Sequence, residues 1–192
     1  NIYIMAVITC CGTIVGWEPQ GCSQGYAARV RRFALVSKCF QNEGTPPYNQ
    51  AFWGSNDIWD GLLTGTVAPF TQIYATIVDK FNGSFTGEPV YREGDADSVE
   101  NLSGWNYTIS GTALFTPENT AFWQAANGSS DYWVVFQVGE LIFVSAVTVS
   151  VAGVQDITNS LTDVIRWKVE LKWSGDSASI PESFTKPTEH FN

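Results

Sequence analysis

Histidine is almost absent from this chain: among 192 residues there is one, His190, close to the end. Acid–base and triad chemistry near neutral pH draws on imidazole more than on any other side chain, so the usual catalytic base is missing. There is no G-x-S-x-G elbow, no phosphate-cradling glycine loop and no H-E-x-x-H. Charge is also sparse, 15% of residues against ~25% in a typical soluble domain. Such a surface is neutral and polar, or covered by something else. No enzyme is expected, and no cofactor.

Cysteine is confined to the first fifth, at Cys10, Cys11, Cys22 and Cys39. A disulfide framework for a chain this long would be spread more widely, and no C-x₂₋₄-C chelate is present to begin a zinc site. Free buried thiols are the first reading and a single disulfide the second. Uninterrupted apolar runs are missing as well. The opening IYIMAVITCCGTIVG has neither a basic leader nor a small-residue cleavage site, so it does not read as a secretory signal. Tyr132 to Val154 is broken by Gln137 and Glu140 and is rich in Val, Ser and Thr, which suits a pair of strands turning near Gly139 better than a spanning helix. No membrane insertion is expected.

What the chain has in quantity is β-forming and aromatic residues: eight Trp, seven Tyr and twelve Phe. Runs rich in Val, Ile, Thr and aromatics, bounded by Gly, Asn, Asp and Pro, predict strands over 3–9, 30–40, 72–79, 105–115, 132–138, 141–151 and 164–173. Several alternate. Trp105, Tyr107, Ile109, Gly111, Ala113 and Phe115 share one parity, with Asn106, Thr108, Ser110, Thr112 and Leu114 on the other. That is the pattern of antiparallel sheets with one face buried and one wet. In 164–173 the split is sharper: Ile165, Trp167, Val169, Leu171 and Trp173 oppose Val164, Arg166, Lys168, Glu170 and Lys172. The apolar parity, with Trp105, is assigned to the core. The charged parity faces water, a lumen or a neighbouring subunit.

One helix is predicted over about 117–126, with Thr116 as cap, Pro117 in the first turn, Glu118 at the positive end of the dipole and Asn127-Gly128 as stop. Its buried face would hold Phe122, Ala125 and Ala126, with Trp123 on the flank. A shorter helical turn is predicted from Asn56 to Leu63. The Gly-, Pro- and Asn-rich stretch 41–69 otherwise reads as a long loop. Solvated linkers rarely carry two tryptophans, so Trp53 and Trp59 are candidate contacts to the chain's own domain or to a neighbour. Residues 1–174 form one domain, and 175–192 an extended arm.

Four acids, Glu93, Asp95, Asp97 and Glu100, lie in YREGDADSVEN. Alternating acids in a Gly-containing loop could gather round Ca²⁺, with Asp95 and Asp97 the candidate ligands, and an exposed acidic loop is the simpler account. Four N-x-S/T sequons, at Asn82, Asn101, Asn106 and Asn127, carry little weight in a chain so rich in Ser and Thr. Charge is unevenly placed. Residues 1–40 carry Arg29, Arg31, Arg32 and Lys38 against Glu18, a net of +3, while the remainder has six basic and eighteen acidic residues, a net of −12. An acidic body argues against groove binding of nucleic acid. Complementary blocks could pair head to tail between copies. Arg29, Arg31 and Arg32 therefore join Arg166, Lys168, Glu170 and Lys172 as candidates for a subunit interface or lumen.

The order of elements in the C-terminal half, GWNYTISGTALF, TPENTAFWQAA, DYWVVFQV, ELIFVSAVTVSVAGV, the turn QDITNSLTD and VIRWKVELKWSG, resembles the major tail tube proteins of tailed bacteriophages and related injection-system tubes. The resemblance covers roughly residues 100–175 and leaves the N-terminal third unmatched. It implies an antiparallel β-sandwich or barrel with a flanking helix. Copies would assemble as rings, usually hexameric, stacked into a tube that conducts DNA and contacts other tail proteins. The chain would then be a virion protein assembled in the host cytoplasm. Another virion component of similar fold, such as a decoration or tail-completion protein, is an alternative. So is a secreted carbohydrate-binding β-sandwich using Trp17, Trp53 and Trp59.

Overall fold

The computed structural model describes residues 29–42, 48–93, 100–157, 165–176 and 181–192. In chain order its strands are β1 (Arg29–Val30), β2 (Phe33–Ser37), β3 (Ala75–Val78), β4 (Asn82–Glu93), β5 (Glu100–Leu114), β6 (Tyr132–Val138), β7 (Leu141–Val144), β8 (Ser150–Asp156), β9 (Arg166–Gly175) and β10 (Glu182–Thr185). They make two five-stranded sheets, wholly antiparallel, ordered β1-β4-β5-β9-β8 and β10-β7-β6-β2-β3. The mainly β fold and the sandwich are as expected. The barrel is not formed: among the described residues both sheets stay open.

The alternation in β9 is carried into the fold, where Trp167, Val169, Leu171 and Trp173 are buried and Arg166, Lys168 and Lys172 exposed. In β5, Tyr107, Ile109 and Ala113 point inward with them. Opposite lie Phe33 and Leu35 of β2 and Val134 and Phe136 of β6, and these two inner faces form the first core. Aromatic rings join the sheets, Phe85 to Phe136 at 4.9 Å between centroids and Phe136 to Trp173 at 6.4 Å. Gly83 and Gly111 are register partners on β4 and β5, and the Phe81 ring lies where their side chains would be. A Cβ on either would come within 2.6 Å of that ring, so no larger residue fits at either position without displacing the ring.

β2 and β6 are apolar on both parities. Ala34, Val36 and Val135 face away from the first core into a second, with Phe40, Phe52, Trp53, Trp59, Leu62 and Phe70. This second core lies under two helices, α1 (Gln50–Trp53) and α2 (Asn56–Thr64), and the C-terminal segment. Asn49 caps α1, its Oδ1 accepting from Ala51 N at 3.0 Å. The Ser55 hydroxyl caps α2, and Gly65 ends it in the left-handed region at φ 68°. The stretch 41–69 is therefore helical over much of its length, not a long loop, and the turn expected from Asn56 is α2. Trp53 and Trp59, offered as contact residues, are 1% and 0% exposed, with Trp59 Nε1 donating to Trp53 O at 2.8 Å.

Other departures have equally local causes. The segment 175–192 is not a free arm: β10 pairs with β7, Gln50 exchanges two hydrogen bonds with the Thr185 backbone (2.7 and 3.1 Å), and the Phe191 ring seats on Trp59 at 4.9 Å. The predicted strand 141–151 divides. Ser145 is fully buried, its Oγ accepting from Val134 N at 3.0 Å, and beyond it the chain leaves the second sheet and re-enters the first as β8. β4, rich in Gly and polar residues with one Pro, has weak intrinsic β preference and is made by pairing with β5 along twelve register positions. The expected single helix becomes a 3₁₀ turn (Pro117–Asn119) and α3 (Thr120–Ala126), giving three α-helices among the described residues. Thr116 makes no side-chain cap. The inward residues of α3 are Trp123 and Ala126, while Phe122 is half-buried and Ala125 exposed. Trp105, assigned to the core, is half-buried at its edge. Cys39, expected buried, is exposed, and Cys10, Cys11 and Cys22 lie outside the described residues.

Trp167 and Trp173 present indole N–H groups that are buried with no acceptor among the described residues. Their stabilising contribution is thus ring burial alone. Trp167→Ala should lower the unfolding free energy by ~3–5 kcal/mol, as large core truncations do. Trp167→Phe, which keeps a ring and removes the unsatisfied donor, should cost well under half as much. Urea unfolding followed by circular dichroism measures both.

Candidate assembly surfaces

The outer face of the first sheet is solvent-facing and mostly neutral, with a shallow hollow between Thr86, Asn106, Thr108 and Lys172. β4 contributes Asn82, Ser84, Thr86 and Glu88, and β5 contributes Asn106, Thr108, Ser110 and Thr112, in direct register. The charges of β9 stand beside them and are largely matched within the face. Lys168 Nζ lies 3.2 Å from Asp156 of β8, and Lys172 Nζ lies 3.0 Å from Glu170. Exposed pairs of this kind contribute ~0–1 kcal/mol, so they set the polarity of the face more than its stability.

The four sheet margins differ in what covers them. On β8, Val151 exchanges backbone hydrogen bonds with Gly128 and Ser129 (2.8 and 3.0 Å), and Gly153 N–H donates to Asn127 Oδ1 at 3.1 Å, so the turn after α3 blocks that edge. β10 is held at Thr185 by Gln50. β3 is four residues long. β4 is different, because β1 pairs with it only at Gly83 and Ser84. From Phe85 to Glu93 its outer margin has no partner among the described residues. Phe81 N–H donates to Arg31 O on that side at 2.9 Å. By strand alternation the N–H groups of Phe85 and Gly87 then face the open margin. The next residue in the series is Pro89, which has no N–H to leave unpaired, as suits an edge strand. Beyond the pair Trp105↔Gly175 the β4–β5 hairpin continues without β9, as a two-stranded ribbon with a register shift between Val90 and Tyr91.

At the opposite end of the sheet, Arg29, Arg31, Arg32, Lys80 and Arg166 line one crevice of about 600 Å³. Arg32 Nε pairs with Asp79 at 2.6 Å, and no carboxylate lies within ion-pair distance of the other four among the described residues. Four of the five are the interface candidates read from the sequence. Tertiary structure unites them from β1, its following turn and β9, and adds Lys80, which no sequence pattern marked. The unpaired β4 margin was also missed, although the polar parity of Asn82, Ser84, Thr86 and Glu88 was a usable signal. Of the acidic cluster, Asp95 and Asp97 lie outside the described residues, while Glu93 and Glu100 are register partners. Among the described residues no three His, Cys, Asp or Glu side chains gather to hold a metal, and no helix is long and apolar enough to cross a membrane. His190 Nε2 stands 3.2 Å from Asp60 Oδ1 in the packed C-terminal segment, away from these surfaces.

Comparison with known protein families, curated proteins and solved structures found no match.

Three groups of the protein are shifted. The hydrogen bond and charge of Asp131 hold the exposed Lys38 ammonium above the usual lysine value, and burial raises the phenols of Tyr48 and Tyr107. A group whose folded pKa is raised stabilises the fold fully below its unfolded pKa and loses that contribution as pH climbs through the folded value. Stability should therefore hold through neutral pH and fall as pH rises above ~10, where unfolded tyrosine ionises. Tyr107→Phe should shallow that fall, as measured by thermal melts across an alkaline pH series.

Proposed function

We propose that the chain is a structural, self-associating subunit of the tail tube kind, whose copies pair through the open margin of β4 into rings around a channel. The observation that carries this reading is selective exposure. The β8 margin is blocked by the turn after α3, β10 is clamped by Gln50, and β3 is short, while Phe85–Glu93 has no strand partner on its outer margin among the described residues. A long unpaired edge is an aggregation hazard in a monomer and a joint in an assembly. The neutral polar face of the first sheet suits a channel wall, because phosphates find few unpaired cations on it to hold them. The two-sheet sandwich with α3 at its flank agrees with what the sequence resemblance implies. The blocked β8 margin means that the partner strand comes from elsewhere on the neighbour, not from a simple β4-to-β8 continuation.

The carbohydrate-binding alternative loses two of its three tryptophans, since Trp53 and Trp59 are buried; Trp17 lies outside the described residues.

Negative-stain microscopy and sedimentation of the purified protein should show rings or tubes. Amide exchange at Phe85 and Gly87 should be slow in those particles and fast in dissociated subunits. A monomer at every concentration overturns the reading. A closed dimer joined β4 to β4 overturns the ring.

A further inference from the structure

We propose that the crevice of Arg29, Arg31, Arg32, Lys80 and Arg166 is a binding site for a compact oligophosphate, the run of phosphate groups carried by a nucleoside triphosphate or by inorganic tripolyphosphate. The inference is independent of self-association. The chain has ten Lys and Arg against nineteen Asp and Glu, yet half of those cations line this one crevice of about 600 Å³. Among the described residues the rest of the lining is one aromatic ring and three side-chain amides, with no carboxylate. Asp79 reaches only Arg32, which leaves Arg29, Arg31, Lys80 and Arg166 to repel one another until an anion enters.

The frame of the crevice is fixed by backbone. Phe81 N–H donates to Arg31 O at 2.9 Å and Gln137 N–H donates to Arg32 O at 3.0 Å, so the turn between β1 and β2 is tied on both sides. Lys80 joins β3 to β4 at φ 55°, a left-handed backbone that a non-glycine residue adopts at a cost. Glycine would relieve that cost and supply no charge. Four of the five cations are arginine, whose planar fork meets phosphate oxygens two at a time. The one ring, Phe81, is 3% exposed and packed edge-to-face on Phe33 at 4.9 Å. It offers no face to a nucleobase, so recognition falls on the phosphates. A crevice of this volume suits a small ligand. The acidic body around it, net −9 for the whole chain, repels a long polyanion that would have to cross it.

Isothermal titration calorimetry with inorganic tripolyphosphate, at low salt and without divalent metal, tests this. One equivalent should bind per chain, and the affinity should fall as salt is raised. Adenosine triphosphate should bind about equally well, since its base has nothing to stack on. Arg29→Gln and Arg166→Gln, both at exposed positions, should each weaken binding roughly tenfold, as loss of a charge-assisted contact does. Lys38→Gln removes the same charge just beyond the far end of β2 and should leave the affinity unchanged. Arg166→Lys keeps the charge without the fork, so it should bind between wild type and Arg166→Gln, and it serves as well should a glutamine variant fail to fold. No binding of tripolyphosphate at low salt, or undiminished binding by the combined Arg29→Gln and Arg166→Gln variant, overturns the site. Citrate bound as tightly as tripolyphosphate overturns the assignment to phosphate, and adenosine triphosphate bound far more tightly overturns recognition through the phosphates alone. Short single-stranded DNA bound more tightly than tripolyphosphate would reassign the crevice to nucleic acid and overturn the proposal.

Discussion

The fold depends on one requirement, that the second sheet be covered twice. β2 and β6 are apolar on both parities, so neither face can meet water without exposing large area, at roughly 25 cal/mol per Å². The first sheet covers one side through Phe85, Tyr107, Leu171 and Trp173. The helices at 50–53 and 56–64 and the C-terminal segment cover the other, where Trp53, Trp59 and Phe191 pack together. The result is three layers, and among the described residues the first sheet alone retains an uncovered face.

That asymmetry decides where contact with other molecules can occur. The helical side is more fully covered: Trp53, Trp59 and Phe191 are interior, Tyr48, Trp133 and Phe184 are partly buried, and the edge strand is held at Thr185 by Gln50. Among the described residues the first sheet is uncovered on its solvent face and along β4 from Phe85, and cations collect at the end near β1. The proposed channel wall and joint are two regions of one sheet. The covering of the second sheet is what leaves them exposed.

Much of the fold was legible in the chain. The alternation of 105–115 and 164–173 predicted most of the buried and wet faces, because strand geometry fixes which side chains share a face; at the strand ends Trp105 and Phe115 are half-buried and Ile165 is exposed. The turn at Asn56 and a helix near 120 followed from caps and spacing. The sheet to which each strand belongs was not legible. The run 141–151 is continuously β-like, and only the burial of Ser145 against Val134 shows where it crosses between sheets. β4 escaped because a strand with two glycines and a proline gains its structure from its neighbour. Trp53 and Trp59 were misplaced for a related reason: local sequence shows that a tryptophan must be covered, not by what.

The sequence by itself determined the class of structure, the buried parity of each strong strand, the poverty of catalytic side chains and the separation of basic and acidic charge. These are properties of neighbours in the chain, and local geometry converts them directly into structure. Tertiary structure alone decided which margins are sealed, that a Gly- and Pro-rich stretch becomes the lid of a second core, and that cations at 29–32, 80 and 166 share one crevice. Those outcomes join residues distant in the chain, 26 positions apart for Asn127 and Gly153 and 135 for Gln50 and Thr185, and such pairings are set by the burial of both faces of one sheet rather than by any local pattern.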